Sequence, residues 1–327
     1  MILDTVWLIV GLLLILGGAN FLTDGASCVA RKLGVSDLII GLTVVAFGTS
    51  APELAISIIS AADGNTAIAI GNVVGSNIFN ILAIIGFTAI VRPIVIERSV
   101  MANEIPMLVL CGILLWVMAS GSILNHAADV ISRSDGLVLL IFFILFMRYT
   151  FASAKRLPEK GEHDPEAQIG KEETKPMPAW KAIIYILGGL AALIFGGDKF
   201  VEGASGIARG LGVSEAVIGL TIVAAGTSLP ELATSIVAAL HNRPGMAVGN
   251  VIGSNIFNTL LVLGAASTVA PLPLGGITQL DLLTLVAAGI LFFVCGWLIG
   301  KRTITRGEGI IMAAAYVAYI AWQVVQA

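Results

Sequence analysis

Two glutamates stand where a carboxylate is hard to keep. Glu53 lies in "GLTVVAFGTSAPELAISI" (Gly41 to Ile58), and Glu231 lies in "GLTIVAAGTSLPELATSI" (Gly219 to Ile236). Each follows a proline inside a strongly apolar run that holds no Lys or Arg. A charge at a bilayer centre costs about 2.5–3.5 kcal/mol on insertion scales, so an unpaired acid there reads as functional, with a cation as its partner. The same oxygen-bearing residues recur around each acid. Ala46, Thr49, Ser50, Glu53 and Ser57 share one helical face by spacings of three and four; Ala224, Thr227, Ser228, Glu231 and Ser235 repeat it. Pro52 lacks an amide hydrogen and crowds the carbonyl of Gly48, a residue that itself weakens a helix. The helix should therefore break near Thr49. Carbonyls freed at membrane depth are tolerated only where they line a protein cavity. Carboxylate, hydroxyl and carbonyl oxygens are hard ligands, suited to Na⁺ or Ca²⁺ and unsuited to Zn²⁺ or copper.

A second motif is duplicated as well: "GNVVGSNIFN" at 71–80 and "GNVIGSNIFN" at 249–258. Asn72, Ser76 and Asn80, spaced four apart, form a polar stripe, and Asn250, Ser254 and Asn258 form its counterpart. Gly71 and Gly75 permit close helix approach. A lone "GSN" in a membrane helix usually serves only interhelical hydrogen bonding. Repeated beside the glutamate motifs, it reads as a second wall of one cavity.

The elements that position these residues follow from composition. The chain has 327 residues, 57% hydrophobic and 12% charged, against about 25% charged in soluble domains. It reads as an all-α membrane protein. Taking about 20 apolar residues per span, ten spans are expected: 4–30, 36–61, 66–91, 100–119, 135–154, 179–208, 214–240, 245–269, 279–299 and 308–325. The first and sixth are long and should tilt. Residues 155–178, rich in proline and charge, read as a solvated linker. The N-terminus lacks a basic region and a small-residue cleavage site, so it reads as a retained first helix. With that end outside, fifteen of the 18 Lys and Arg fall in inner connections, and only Arg133 and Arg209 in outer ones. The positive-inside rule therefore places both termini outside and the linker inside. Net charge is −3, which gives no basic patch for nucleic acid. Cys28, Cys111 and Cys295 are too scattered for a disulfide framework or metal site and read as packing residues.

At an offset of 178, residues 41–80 and 219–258 are identical at 25 of 40 positions. The register extends from Gly18/Gly196 to Pro93/Pro271 without a gap. Five spans per half is an odd number, so the halves, 1–154 and 179–327, should be inverted repeats with broken helices 2 and 7 meeting at a midplane site. Asp24 and Glu202, a second matched acidic pair, lie near Arg31 and Arg209 and read as surface ion pairs or part of an access path. Asp198 and Lys199 read as interfacial, and His126, His163 and His241 as solvated.

Enzyme readings fail. A serine nucleophile needs a nearby base, and no span holds a histidine. A phosphate loop ending in GK[ST] is absent. A cation channel is the alternative in another class, since carboxylate rings also select cations; inverted halves with broken helices point instead to alternating access.

With "GTSAPEL" and "GNVVGSNIFN", then "GTSLPEL" and "GNVIGSNIFN", the chain resembles the cation/calcium exchanger superfamily, in particular its prokaryotic sodium/calcium antiporters. The resemblance covers nearly the whole chain outside the linker. It implies a plasma-membrane (inner-membrane) antiporter exchanging Ca²⁺ for Na⁺, with Ca²⁺/H⁺ exchange as the alternative mechanism. It implies a core of spans 2, 3, 7 and 8, and sliding spans 1 and 6. Ca²⁺ would be held by Thr49, Glu53, Thr227 and Glu231. Na⁺ positions would add Ser50, Ser76, Ser228, Ser254 and the carbonyls of Ala46 and Ala224, with Asn80 and Asn258 lining the middle. Some members carry Asp at the Asn258 position, associated with potassium dependence, so Asn258 argues against K⁺ co-transport. The proton-coupled branch carries a Glu in its "GN" motif, which is lacking here. No cofactor or protein partner is implied beyond the two ions and the bilayer.

Overall fold

The computed structural model describes residues 2–124, 126, 128–154, 177–213, 218, 222, 224–299 and 302–326. Apolar runs bounded by Gly, Pro and polar turns become helices: α1 (Ile2–Leu33), α2 (Asp37–Thr49), α3 (Ala51–Ala62), α4 (Thr66–Val91), α5 (Val100–Met118), α6 (Arg133–Ala154), α7 (Ala179–Gly210), α8 (Leu229–Leu240), α9 (Pro244–Val269), α10 (Gln279–Trp297) and α11 (Arg306–Gln326). Eight of these are long and apolar enough to cross a bilayer, and the bent pair α2–α3 makes a ninth span among the described residues. The expected seventh span, 214–240, lies partly outside the described residues; α8 is its second portion. The linker 155–178 lies outside them except for Met177 and Pro178.

α4 and α9 are the centre of the bundle, with 83% and 94% of their apolar windows buried. They carry the GSN motifs, so those motifs sit in the protein interior. α2 packs along α9 almost backbone to backbone. A Cβ on Gly41 would lie 2.7 Å from Met246 O, and one on Gly253 would lie 2.8 Å from Leu42 O. The expected close approach at Gly71 and Gly75 is not seen among the described residues. Their counterparts Gly249 and Gly253 make it against 38–46, and the matching stretch 216–224 is mostly undescribed.

The two long helices, α1 and α7, run antiparallel along a glycine seam. Gly11, Gly18 and Gly25 recur every seven residues, as do Gly189, Gly196 and Gly203, and each faces the other helix's backbone. A Cβ on Gly18 would sit 2.8 Å from Gly189 O. Small residues at this spacing let membrane helices touch closely.

Two short antiparallel ladders tie connections together. β1 (Ile94–Val95) pairs with β4 (Thr303–Ile304), joining the α4–α5 and α10–α11 connections. β2 (Val130–Ile131) pairs with β3 (Leu272–Pro273), joining the α5–α6 and α9–α10 connections. Cys28, Cys111 and Cys295 are free and buried.

Candidate cation site

The expected break falls at Ser50, one residue beyond Thr49. Ser50 leaves the helical region at φ −85°, ψ 3°, and α2 and α3 meet at a 45° bend. Pro52 lies in the first turn of α3, where its missing amide costs no helical hydrogen bond. Ser228 repeats the geometry at φ −97°, ψ 8°, with Pro230 in the first turn of α8. Glu53 and Glu231 thus both sit in the first turn of a helix, at its positive dipole end. They are 1% and 0% exposed.

The two halves interlock around these carboxylates. α3, which carries Glu53, packs on the wide π-helical turn Asn258–Val262 of α9. α8, which carries Glu231, packs on the matching turn Phe79–Ile84 of α4. Asn80 and Asn258 lie in these turns, 1% exposed each. Single π-helical turns cluster at functional sites, and nothing in the residue pattern announced them.

Hydrogen bonds separate the expected ligands into two groups. Ser50 Oγ donates to Glu231 Oε1 at 3.4 Å, a bond between halves. Thr49 Oγ1 lies 3.4 Å from Ala46 O and 3.3 Å from Asn250 Oδ1. Ala46 O also accepts the Ser50 amide at 2.9 Å, so this carbonyl is not wholly freed by the break. Ala224 opens the single turn Ala224–Gly226. By contrast, both oxygens of Glu53, Oε2 of Glu231, the hydroxyls of Ser76, Thr227, Ser228 and Ser254, and the amides of Asn80 and Asn258 are buried without a hydrogen-bond partner among the described residues. Each such group costs about 1–3 kcal/mol to bury unmet. Eleven of the 22 such atoms among the described residues belong to these eight residues on four packed segments, and their oxygens fit a bound hard cation. Among the described residues no three His, Cys, Asp or Glu side chains gather.

Asn72 and Asn250 leave the expected polar wall. Asn72 Nδ2 donates to Ser57 Oγ at 3.2 Å, and Asn250 Nδ2 donates to Ser235 Oγ at 3.0 Å. The first pair clamps α3 to α4 and the second clamps α8 to α9. Asn250 also donates to the Glu231 carbonyl at 3.2 Å, which fixes the start of α8. Asn77 Nδ2 crosses between the halves to donate to Thr259 Oγ1 at 2.9 Å, a contact that motif spacing does not announce. Of the peripheral acids, Asp24 lies 4.0 Å from His241 Nδ1, and Glu202 pairs with Lys199 at 2.6 Å.

This bundle of apolar helices around buried, duplicated polar motifs is a multi-pass membrane protein. The chain belongs to the sodium/calcium exchanger protein family, which matches residues 3–152 and 181–325. It is 34% identical to the inner membrane protein YrbG of Escherichia coli, over 98% of this chain and 97% of that one. It is 31% identical to the sodium/calcium exchanger MaX1 of Methanosarcina acetivorans, over 96% of each. Its fold is similar to that of the sodium-calcium exchanger NCX_Mj soaked with zero Na⁺ and Ca²⁺: TM-score 0.82 at 33% identity, covering 98% of both chains. It is therefore a cation/calcium exchanger of the prokaryotic YrbG-like kind.

Proposed function

We propose that this chain exchanges Ca²⁺ for Na⁺ across the inner membrane by alternating access, at one site shared by two inverted five-span repeats. The observation that carries the reading is the coincidence of two independent sets. Eight of the ten side chains expected as ligands from the duplicated motifs hold buried oxygens or amides without a partner among the described residues. In the proposed cycle Glu53 and Glu231 supply the two charges that hold Ca²⁺, with Thr49 and Thr227 completing its shell. Ser50, Ser76, Ser228, Ser254 and the carbonyls of Ala46 and Ala224 supply neutral oxygens for Na⁺. Asn80 and Asn258 line the middle.

Ser50 and Ser228 each precede a helix start that carries a carboxylate in its first turn. This is how discontinuous helices build ion sites at repeat interfaces. Ten spans, both termini outside and the 155–178 linker inside complete the topology, which rests on the distribution of Lys and Arg. The ion-coordinating core would rock or slide against the α1–α7 pair, which the glycine seam holds as one body. Radiolabelled Ca²⁺ uptake into proteoliposomes with imposed Na⁺ or H⁺ gradients tests the reading. Uptake driven by Na⁺ is expected. Uptake driven only by H⁺ would make it a Ca²⁺/H⁺ antiporter, and uptake needing no counter-ion would make it a channel.

A further inference from the structure

A cavity of about 410 Å³ lies between α3, α7 and the start of α8. Its floor belongs to the ion site: Pro52 and Pro230 immediately precede Glu53 and Glu231, and Thr227 is itself an expected ligand whose buried hydroxyl lacks a partner among the described residues. Its wall is one stripe of α7, in which Gly197, Asp198, Val201 and Glu202 recur at helical spacing. Asp198 lies twelve residues inside the Gly210 end of a 32-residue helix, about 18 Å down at 1.5 Å per residue. That is close to the helix midpoint and deeper than the interfacial position expected from the sequence, a depth at which a carboxylate is kept only where water or a cation meets it.

The two acids of this wall differ. Glu202, one turn nearer the Gly210 end, is matched by Lys199 at 2.6 Å, and Lys199 also stands 4.6 Å from the Trp7 ring centre. Asp198 is exposed to the cavity and has no ion pair among the described residues. The residue 178 positions earlier is neutral Asn20, whose amide donates to Leu16 O at 2.8 Å. The first half thus lacks this charge.

We propose that Asp198 is a cation-capture residue for the exchange described above: its carboxylate holds an incoming Ca²⁺ or Na⁺ in the cavity and hands it down past Thr227 to Glu231. The inference rests on the exchange reading and adds a sidedness to it. A charged cleft with low-dielectric walls concentrates counter-ions, and the effect weakens as salt screens it. Asp198 should therefore lower the KM for Ca²⁺ only at the face reached by the Gly210 end of α7, the outer face in the proposed topology.

The test measures Na⁺-coupled Ca²⁺ exchange in right-side-out and inside-out vesicles. D198N should raise the outer KM by about threefold to tenfold at low ionic strength, with the loss in KM rather than Vmax, and by less at high salt. The inner KM should stay as in wild type, and D198E should restore the outer KM. Should D198N fail to reach the membrane, D198C in a background without the native cysteines keeps the inference testable. An anionic methanethiosulfonate should lower its outer KM, and a cationic one should raise it. Equal KM for D198N and wild type at the outer face, or a rise shared by both faces, would overturn the proposal. No exchange by wild type would instead overturn the functional reading beneath it.

Discussion

The charge inventory of the site sets a voltage response that can be worked out in advance. Among the ligands proposed, Glu53 and Glu231 carry charge, and the hydroxyls, amides and carbonyls are neutral. One Ca²⁺ cancels the two carboxylates. Two Na⁺ also cancel them, and a third leaves one positive charge. A three-for-one cycle therefore moves one net charge, carried on the Na⁺-loaded form. One charge crossing 100 mV is worth about 2.3 kcal/mol. That is about a fiftyfold change in the equilibrium Ca²⁺ ratio, at about 1.4 kcal/mol per tenfold. The perturbation is a potential clamped with valinomycin and K⁺, at zero and at about 100 mV inside-positive, in vesicles loaded with Na⁺. Inside-positive potential should favour Ca²⁺ accumulation, because three charges leave for each two that enter. Asn258→Asp should keep that dependence, since stoichiometry sets it, while moving the charged step to the Ca²⁺-loaded form. A Ca²⁺ ratio indifferent to potential would mean a neutral two-for-one cycle and would refute the third Na⁺ position.

Other consequences are equally concrete. Gly18→Leu should lower the Tm in detergent, since its Cβ would lie 2.8 Å from Gly189 O and overpacking costs about 1–3 kcal/mol. Gly17→Leu, with nothing within 4 Å, should leave the Tm nearly unchanged, and equal losses in both would contradict the seam. Asn250→Ala should cut transport and destabilise the protein by about 1–3 kcal/mol, because it leaves Ser235 and the Glu231 carbonyl without their donor; thermal unfolding beside uptake checks this, and an unchanged Tm would contradict it. A proton on either glutamate removes charge that the cation needs. Uptake at subsaturating Ca²⁺ should therefore fall on acidification, and a flat profile would count against this competition. A single cysteine at Gln168 in a Cys-free background should resist an impermeant thiol reagent on intact cells, whereas one near Ala327 should react; the opposite pattern would reverse the proposed topology.

The break at Ser50 was legible because Gly48 and Pro52 act on the backbone through local sterics, which sequence carries directly. The carboxylates were legible because an acid without a cationic partner in an apolar run has few physical excuses. Helical spacing was a weaker guide. It grouped Asn72 with Ser76 and Asn80, yet the crossing of α3 and α4 spends the Asn72 amide on Ser57. Asp24 faces His241, which is brought there by the α8–α9 turn rather than by chain neighbourhood. The wide turns at Asn80 and Asn258 and the two-residue strands were invisible for another reason. They are set by packing between halves, and a two-residue strand has no period to read. The glycine seam was present in the residues as a seven-residue recurrence, but only the antiparallel contact of α1 and α7 shows that the two recurrences meet.

The account stands on Glu53 and Glu231 holding the transported cation. The most direct measurement is Na⁺-driven uptake of radiolabelled Ca²⁺ by purified Glu53→Gln and Glu231→Gln in proteoliposomes, with monodisperse elution as the check on folding. Each variant removes one of the two charges while keeping the side chain's size. The account predicts that both variants are folded and that neither transports Ca²⁺. Wild-type uptake by either one would contradict it.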